Sequence, residues 1–397
     1  MKLMLANFAK MINATGGLAK VTCAFANEMI ARGHEVSLIY CDEKQGRFFY
    51  PIDKKVKVIN LYHYGNQNYQ FPLRMKLKRE ILRPLNIRKS RDVNDQFMIR
   101  YLQDSLRCVL ADILPEVIVA SQPAATRMLK NVIQVDVPVI TMSHGDPEDY
   151  FHTYPKEEVI ALAKSCVCQV LLPSYEKAIK SRIPDMPVEI IGNVVPQYSV
   201  QVDLSKIKNK YKILFVGRLN KNHKCPHLLI ETFCKIANDF PEWCVELWGD
   251  IDNKTYFQYM RSIIKKYKLE DKIKFMGVTE NIQMVLETGD IFVMPSAYEG
   301  FPLSLTEAMS IGMPVVAYKA CSGANELIKD NVNGILCDEG VSGLEKGLRK
   351  LMEARELREN LGNNAHKDML YYNAHEIWNK WEDLIMRVYN SIGEKNE

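Results

Sequence analysis

Glu299 and Glu307 stand eight positions apart in Ser296-Ala-Tyr-Glu-Gly-Phe-Pro-Leu-Ser-Leu-Thr-Glu-Ala-Met309, a segment that reads as a turn running into a helix. Pro302 suits the first helical position, because its ring fixes φ and its missing N–H is one the helix start cannot pair anyway. The amides of Leu303 and Ser304 are then left over. Together with the positive end of the helix dipole they favour an anion such as a diphosphate. Glu307, about one turn into that helix, offers two acceptor oxygens to the paired hydroxyls of a ribose, and Glu299, in the loop, can accept from the hydroxyls of a sugar. Both glutamates can equally be read as capping or decorating a helix start.

A second set of charges lies upstream. Arg218 and Lys224 occur in Gly217-Arg-Leu-Asn-Lys-Asn-His-Lys224, directly after the strand-like run Tyr211–Val216. Arginine holds phosphate oxygens with two parallel donors and lysine adds a mobile point charge. Such a pair can offset the charge developing on a departing nucleoside diphosphate. Taken alone, two basic residues in a polar loop are more often simply solvated. Other phosphate devices are missing: none of the 20 glycines stands two residues from another, so G-x-G-x-x-G is absent, and so is G-x-x-x-x-G-K-[ST]. Those absences argue against a dinucleotide-dependent oxidoreductase and a P-loop NTPase.

The elements that must carry these residues repeat in a regular way. Strand-length apolar runs occur at Lys2–Asn7, Glu35–Tyr40, Val56–Leu61, Val117–Ala120, Val139–Met142 and Gln169–Leu172, with helical patterns between several of them. After Gly17, Leu18, Val21, Phe25 and Met29 recur at helical spacing until Arg32-Gly33-His34 stops them. A polar connector at 196–210 precedes a second series, Tyr211–Val216, Val245–Trp248, Ile273–Met276, Ile291–Met294 and Val315–Tyr318. Alternating β and α of this kind predicts two mainly parallel, doubly wound sheets, which take ligands beyond the carboxyl ends of their strands. The loops Asn13–Gly17, Gly217–Lys224 and Ser296–Pro302 are therefore where chemistry is expected.

Composition agrees with such a chain. At 397 residues, 47% hydrophobic and 25% charged, it is long enough for two cores and ordinary for a globular protein. No run of about eighteen apolar residues occurs, and Met1–Ala6 reads as a first buried strand rather than a signal-peptide core. Ten cysteines without a C-x-x-C pair read as reduced thiols, with Cys166 and Cys168 on a strand-like run rather than on a metal. A net charge of +4 does not suggest nucleic acid. The stretch 73–91 is different: eight Lys and Arg residues against Glu80 alone, interleaved with Leu73, Met75, Leu77, Ile81, Leu82, Leu85 and Ile87. It reads either as a solvated helix face or as a segment that docks on an anionic membrane.

The motifs, taken in order, resemble those of the retaining glycosyltransferases of family 4. Glu299 to Glu307 matches the E-x7-E motif, inside a longer match running through Gly312-Met-Pro-Val-Val316 to Asn333-Gly-Ile-Leu336. Gly217-Arg218 with Lys224 matches the diphosphate-binding pair, and Thr15-Gly16-Gly17 the N-terminal glycine loop. The resemblance implies a GT-B fold, two Rossmann-like doubly wound domains facing a central cleft: an acceptor-side domain over 1–195, a donor-side domain over 196–370, and a final helix over 371–397 crossing back to the first. It also implies that Arg218 and Lys224 hold the diphosphate, that Glu307 holds the ribose, and that Glu299 and the backbone of Phe301, Leu303 and Ser304 face the donor sugar and its phosphate. Gly16 and Gly17 would let the backbone approach the phosphates, and His144, in Ser143-His-Gly-Asp146, would lie near the transferred sugar; read without the family, a histidine after a strand is more often structural.

Two positions depart from the family pattern: Cys225 replaces the glycine usual after the lysine, and Ile191-Gly-Asn-Val-Val195 keeps only part of P-N-G-V-D. Asp250-Ile-Asp252 has the metal-binding D-x-D spacing but follows Gly249 at a strand end, where the family often carries G-D, so a metal-independent site without a cofactor is expected. The expected activity is transfer of a sugar, with retention, from a nucleoside-diphosphate sugar, a UDP-sugar in the first instance, to a glycan or lipid-linked acceptor in surface polysaccharide or lipopolysaccharide synthesis. The expected location is cytoplasmic, extending to the inner face of the cell membrane. The alternatives on the same architecture are a sugar-nucleotide epimerase and a non-catalytic nucleotide-sugar-binding protein.

Overall fold

In the computed structural model, which describes residues 1–393 and side-chain surroundings to residue 391, the chain divides into two compact units. One comprises residues 1–192 together with those from Trp378 onward, and the other comprises 193–377. The resemblance implies limits at 195 and 370. The shift has a local cause: the Val195 amide donates to the Tyr372 carbonyl (2.9 Å), tying the connector and the short turn Leu370–Tyr372 into the second unit.

The first unit is built on seven parallel strands: β1 (Lys2–Asn7), β2 (Glu35–Tyr40), β3 (Lys57–Asn60), β4 (Val117–Ala120), β5 (Val139–Met142), β6 (Val167–Val170) and β7 (Val188–Ile190), in the order β3-β2-β1-β4-β5-β6-β7. All four residues of β4 and of β5 are buried, as expected where helices cover both faces of a parallel sheet. Helix α1 (Gly17–Ala31) turns Ala19, Cys23, Phe25, Ala26 and Met29 inward. It ends at Gly33, whose φ of +89° lets the amides of Gly33 and His34 return to the carbonyls of Ile30 and Met29. Between β3 and β4 run α2 (Leu73–Leu85) and the long α3 (Ile87–Ile113), and α3 seats Val93, Phe97, Leu102, Leu106 and Val109 in the core.

The second unit has six parallel strands: β8 (Tyr211–Val216), β9 (Trp243–Trp248), β10 (Ile273–Gly277), β11 (Ile291–Met294), β12 (Val315–Tyr318) and β13 (Ile335–Cys337), in the order β10-β9-β8-β11-β12-β13. Strand order thus reverses between β1 and β4 in one sheet and between β8 and β11 in the other. The carboxyl ends of β8 and β11 are the topological switch point of the second sheet, and the two charged loops of the sequence leave from them. All ten cysteines are free thiols, Cys168 buried and Cys166 exposed.

Candidate active site

The loop after β8 is held from both ends. The amides of Gly217 and Leu219 donate to the carbonyls of Trp248 (2.9 Å) and Asp250 (2.8 Å), which extends the β8–β9 pairing past the strand ends. Gly249 permits this approach: its φ is +146°, and a Cβ there would lie 1.9 Å from the Gly217 carbonyl oxygen. Further on, Asn220 Oδ1 accepts from the amides of His223 (3.2 Å) and Lys224 (2.9 Å). Cys225, in the left-handed region at φ 48°, then opens the next helix, Pro226–Ile236. This turn folds the Lys224 stem back over Gly217, where an added Cβ would come within 3.4 Å of the Lys224 Cδ.

The loop after β11 meets it. Ala297 donates its amide to the His223 carbonyl (2.8 Å), and the His223 and Tyr298 rings stack with centroids 4.6 Å apart at 16°. The Glu299 amide donates to the Ser322 carbonyl (3.1 Å), and the Ser322 hydroxyl donates back to the Glu299 carbonyl (3.3 Å). Gly323 makes room for that turn: with φ at +76°, a Cβ there would stand 2.8 Å from the Glu299 carbonyl oxygen. The outcome is an ion pair. Lys224 Nζ donates to Glu299 Oε1 at 2.6 Å, and His223 Nε2 lies 3.7 Å from Glu299 Oε2. Glu299 is only 7% exposed. Burial by itself would raise its pKa, but the Lys224 charge, with the His223 ring nearby, outweighs burial and holds the carboxyl at about 2.

The next helix begins one residue later than the sequence suggests. Pro302 is the N-cap (φ −74°, ψ 87°) rather than the first helical residue, and the helix runs Leu303–Ser310. Thr306 donates the first helical bond to the Pro302 carbonyl (3.0 Å), so the amides of Leu303, Ser304 and Leu305 precede the ladder and no side chain caps them. Phe301 is buried with its ring edge-on to Tyr372 (5.2 Å, 70°). Glu307 is 4% exposed within the helix, and its charge adds to burial in raising the Tyr198 pKa. Arg218 is exposed and makes no side-chain hydrogen bond or ion pair among the described residues. Asp250 and Asp252 are exposed, and the Asp250 carboxylate caps the Ile251 amide (2.9 Å).

The remaining predicted residues belong to the first unit. Gly16 is the N-cap of α1 with extended φ and ψ, and a Cβ there would meet nothing within 4 Å, so the unit's own packing does not demand glycine at this position. His144 follows β5 by two residues; burial lowers its pKa to about 4, and its Nε2 is buried without a hydrogen-bond partner among the described residues. It is therefore a neutral ring at physiological pH. Sequence reasoning passed over His223, Ser322 and Gly323. A ring beside Lys224 and a glycine after the strand Val315–Tyr318 were the available signals.

The basic stretch separates into two parts at Asn86, the joint between α2 and α3. Arg88 donates to the carbonyls of Phe151 and His152, and Arg91 pairs with Asp149 (3.4 Å) and lies 4.0 Å from the Tyr154 ring centroid. Those two are structural. No residue of α2 is buried, and Leu73, Leu77, Ile81 and Leu85, each four apart, are 72, 57, 64 and 76% exposed. Exposed Arg74 and Lys78 lie along one margin of this apolar row; on the other, Lys76 pairs with Glu43 (3.5 Å) and Arg83 with Glu80 (2.9 Å). Among the described residues no helix is long and apolar enough to cross a membrane.

Comparison with known proteins places these features. The family described as glycosyl transferases group 1 matches residues 200–368, the span that contains both charged loops. The chain is 22% identical over 385 residues to an uncharacterized glycosyltransferase of Haemophilus influenzae, across 95% of this chain and 98% of that one. It is 23% identical over 386 residues to the GalNAc-alpha-(1->4)-GalNAc-alpha-(1->3)-diNAcBac-PP-undecaprenol alpha-1,4-N-acetyl-D-galactosaminyltransferase of Campylobacter jejuni, across 95% of this chain and 97% of that one. Anabaena HepE, solved in complex with UDP and glucose, superposes with a TM-score of 0.69 at 19% identity, covering 100% of this chain and 99% of that chain. The fold is GT-B, and the matches together support a glycosyltransferase.

Proposed function

We propose that the chain is a retaining, metal-independent glycosyltransferase of family 4 type, carrying the E-x7-E motif at Glu299 and Glu307. It moves a sugar from a nucleoside-diphosphate sugar, a UDP-sugar in the first instance, to a glycan or lipid-linked acceptor in surface polysaccharide or lipopolysaccharide synthesis. It works peripherally at the inner face of the cell membrane, with α2 against the lipid. The observation that carries the reading is the meeting of Lys224 and Glu299 at 2.6 Å beside the uncapped start of the helix Leu303–Ser310, at the switch point of a parallel sheet. That arrangement offers an anion site and a sugar-hydroxyl acceptor side by side. The sugar donor and glycan acceptor are consistent with what the Campylobacter relative is named for and with the UDP and glucose bound to HepE.

In the mechanism this supports, the diphosphate lies against the amides of Leu303 and Ser304 with Arg218 and Lys224 around it, and Glu307 takes the ribose hydroxyls. Glu299, ionised because its pKa is held at about 2, accepts from hydroxyls of the sugar. The bond from the anomeric carbon to the phosphate oxygen breaks with its electron pair going to the nucleoside diphosphate. The acceptor hydroxyl bonds to the same face of the carbon and gives its proton to a phosphate oxygen. Arg218, Lys224 and the helix start stabilise the charge that develops on the leaving group. Within the first unit, His144 is a neutral ring that can hydrogen-bond but carries no charge, and Gly16 and Gly17 follow the carboxyl end of β1. A panel of nucleotide sugars, each incubated with and without glycan and lipid-linked acceptors, tests the proposal by released UDP or GDP. Acceptor-dependent release from one donor is expected, whereas acceptor-independent isomerisation of the donor, or binding with no release from any donor, overturns it.

A further inference from the structure

We infer that His223 is a positioning residue for Glu299, keeping that carboxylate aimed while Lys224 is drawn to the donor's diphosphate. The inference deepens the glycosyl-transfer reading and rests on it. His223 is the residue through which the two donor-side loops are joined at three levels. Its carbonyl accepts from the Ala297 amide (2.8 Å), its ring stacks on Tyr298 (4.6 Å, 16°), and its Nε2 faces Glu299 Oε2 (3.7 Å). Asn220 fixes the backbone from below by accepting the His223 amide (3.2 Å).

The need for such a residue follows from the electrostatics. Lys224 carries one charge on a four-carbon stem and holds Glu299 Oε1 at 2.6 Å. A nucleoside diphosphate brings more negative charge than one carboxylate, and the flexible ammonium moves toward it. That movement weakens the hold on a carboxylate whose side chain is 8% exposed, and a buried carboxylate with a weakened partner is costly and poorly directed. His223 acts on the opposite oxygen. Its short side chain, pinned by the stack on Tyr298, cannot swing away as the lysine can, so the sugar-facing carboxylate keeps its position through the reaction. Because this acts on Glu299 and not on the diphosphate, its loss is felt in turnover rather than in nucleotide binding.

The test uses the full-length protein with the donor that the wild type consumes, and free UDP or GDP as the binding probe. His223→Ala is expected to lower kcat tenfold or more while the nucleotide's Kd stays within threefold. His223→Gln, which retains a side-chain N–H donor in place of the imidazole, is expected to recover part of that loss. His223→Phe, which keeps the stacked ring without the donor, is expected to remain near the alanine variant. Should the alanine variant fail to fold, the glutamine and phenylalanine variants decide by the same comparison. A kcat within twofold of wild type in His223→Ala or His223→Phe, or a nucleotide affinity that falls in step with kcat, overturns the inference. A wild type that consumes no donor sinks the transfer reading and this inference with it, whereas an active wild type with unaffected variants sinks this inference alone.

Discussion

Lys224 and Arg218 are both cations of one loop, yet their surroundings differ enough to separate what each substitution does. Arg218 is exposed and has no side-chain partner among the described residues, so Arg218→Ala removes no contact that holds the fold and, on the proposed reading, only a donor to the phosphate. Lys224→Ala also strips the closest cation from a carboxylate that is 7% exposed, and breaking a buried pair from one side costs roughly 3–5 kcal/mol. Both variants are expected to lose about a hundredfold to a thousandfold in kcat, the range for removing one donor from a developing anion. Only Lys224→Ala should also show a lowered denaturation midpoint; equal stability losses, or near-normal turnover in either variant, would refute the assignment. The residue types and their order along the chain were legible in the sequence. That the two loops share a site was expected from the resemblance; the direct Lys224–Glu299 pair was not, because the resemblance assigns both side chains to the donor and the two are 75 positions apart. Gly323 escaped notice for a similar reason: the turn that needs its positive φ is formed by residues two dozen positions earlier.

At the scale of the elements, α2 leaves an apolar row in solvent. Its packed side is narrow, with Met75 and Leu82 against the first unit's core, and the exposed row Leu73, Leu77, Ile81 and Leu85 is a face that water alone does not favour. An interfacial helix combines an apolar row with basic margins, and each Lys or Arg near an anionic bilayer contributes about 1 kcal/mol. Sedimentation with anionic vesicles is therefore expected to show salt-sensitive binding. Arg74→Glu with Lys78→Glu should weaken it about tenfold or more, and Leu77→Asp with Ile81→Asp at least as much. Equal binding to neutral and anionic vesicles, or no effect of either pair, would leave α2 as ordinary surface. Composition had pointed to 73–91 as one stretch, but the break at Asn86 and the inward turn of Arg88 and Arg91 are tertiary facts that charge counting does not contain. Most strand-length runs were legible in the sequence. Lys2–Asn7, Glu35–Tyr40, Val117–Ala120 and Tyr211–Val216 occur as read, whereas Gln169–Leu172 is displaced to Val167–Val170. The three-residue edge strands β7 and β13 offered too few positions for any period to register.

At the scale of the whole molecule, the chain leaves the first unit after Gly192 and returns to it at Trp378, so that unit is completed by its last residues. Trp378, Trp381, Leu384 and Ile385 are all buried, and both indoles meet Phe25 of α1 edge-on, with centroids 5.8 and 4.9 Å away. Polar ties flank them: Arg32 donates to Asn379 (3.0 Å) and His34 Nε2 lies 3.0 Å from Glu382. The apolar spacing of this helix was plain in the sequence; its partner on α1 was not, since nothing local links Phe25 to Trp381. Each unit has its own core, and proteins with separate cores need not melt in one step. Trp381→Ala removes a large side chain that is 3% exposed, a change that costs about 3–5 kcal/mol. For a unit of this size that corresponds to a fall of roughly 6–20 °C in its melting temperature. Calorimetry is expected to show one transition moving down by that amount while the transition of 193–377 stays in place. A variant whose whole profile shifts as a single peak, or does not shift, would mean that the last helix is not a working part of the first core.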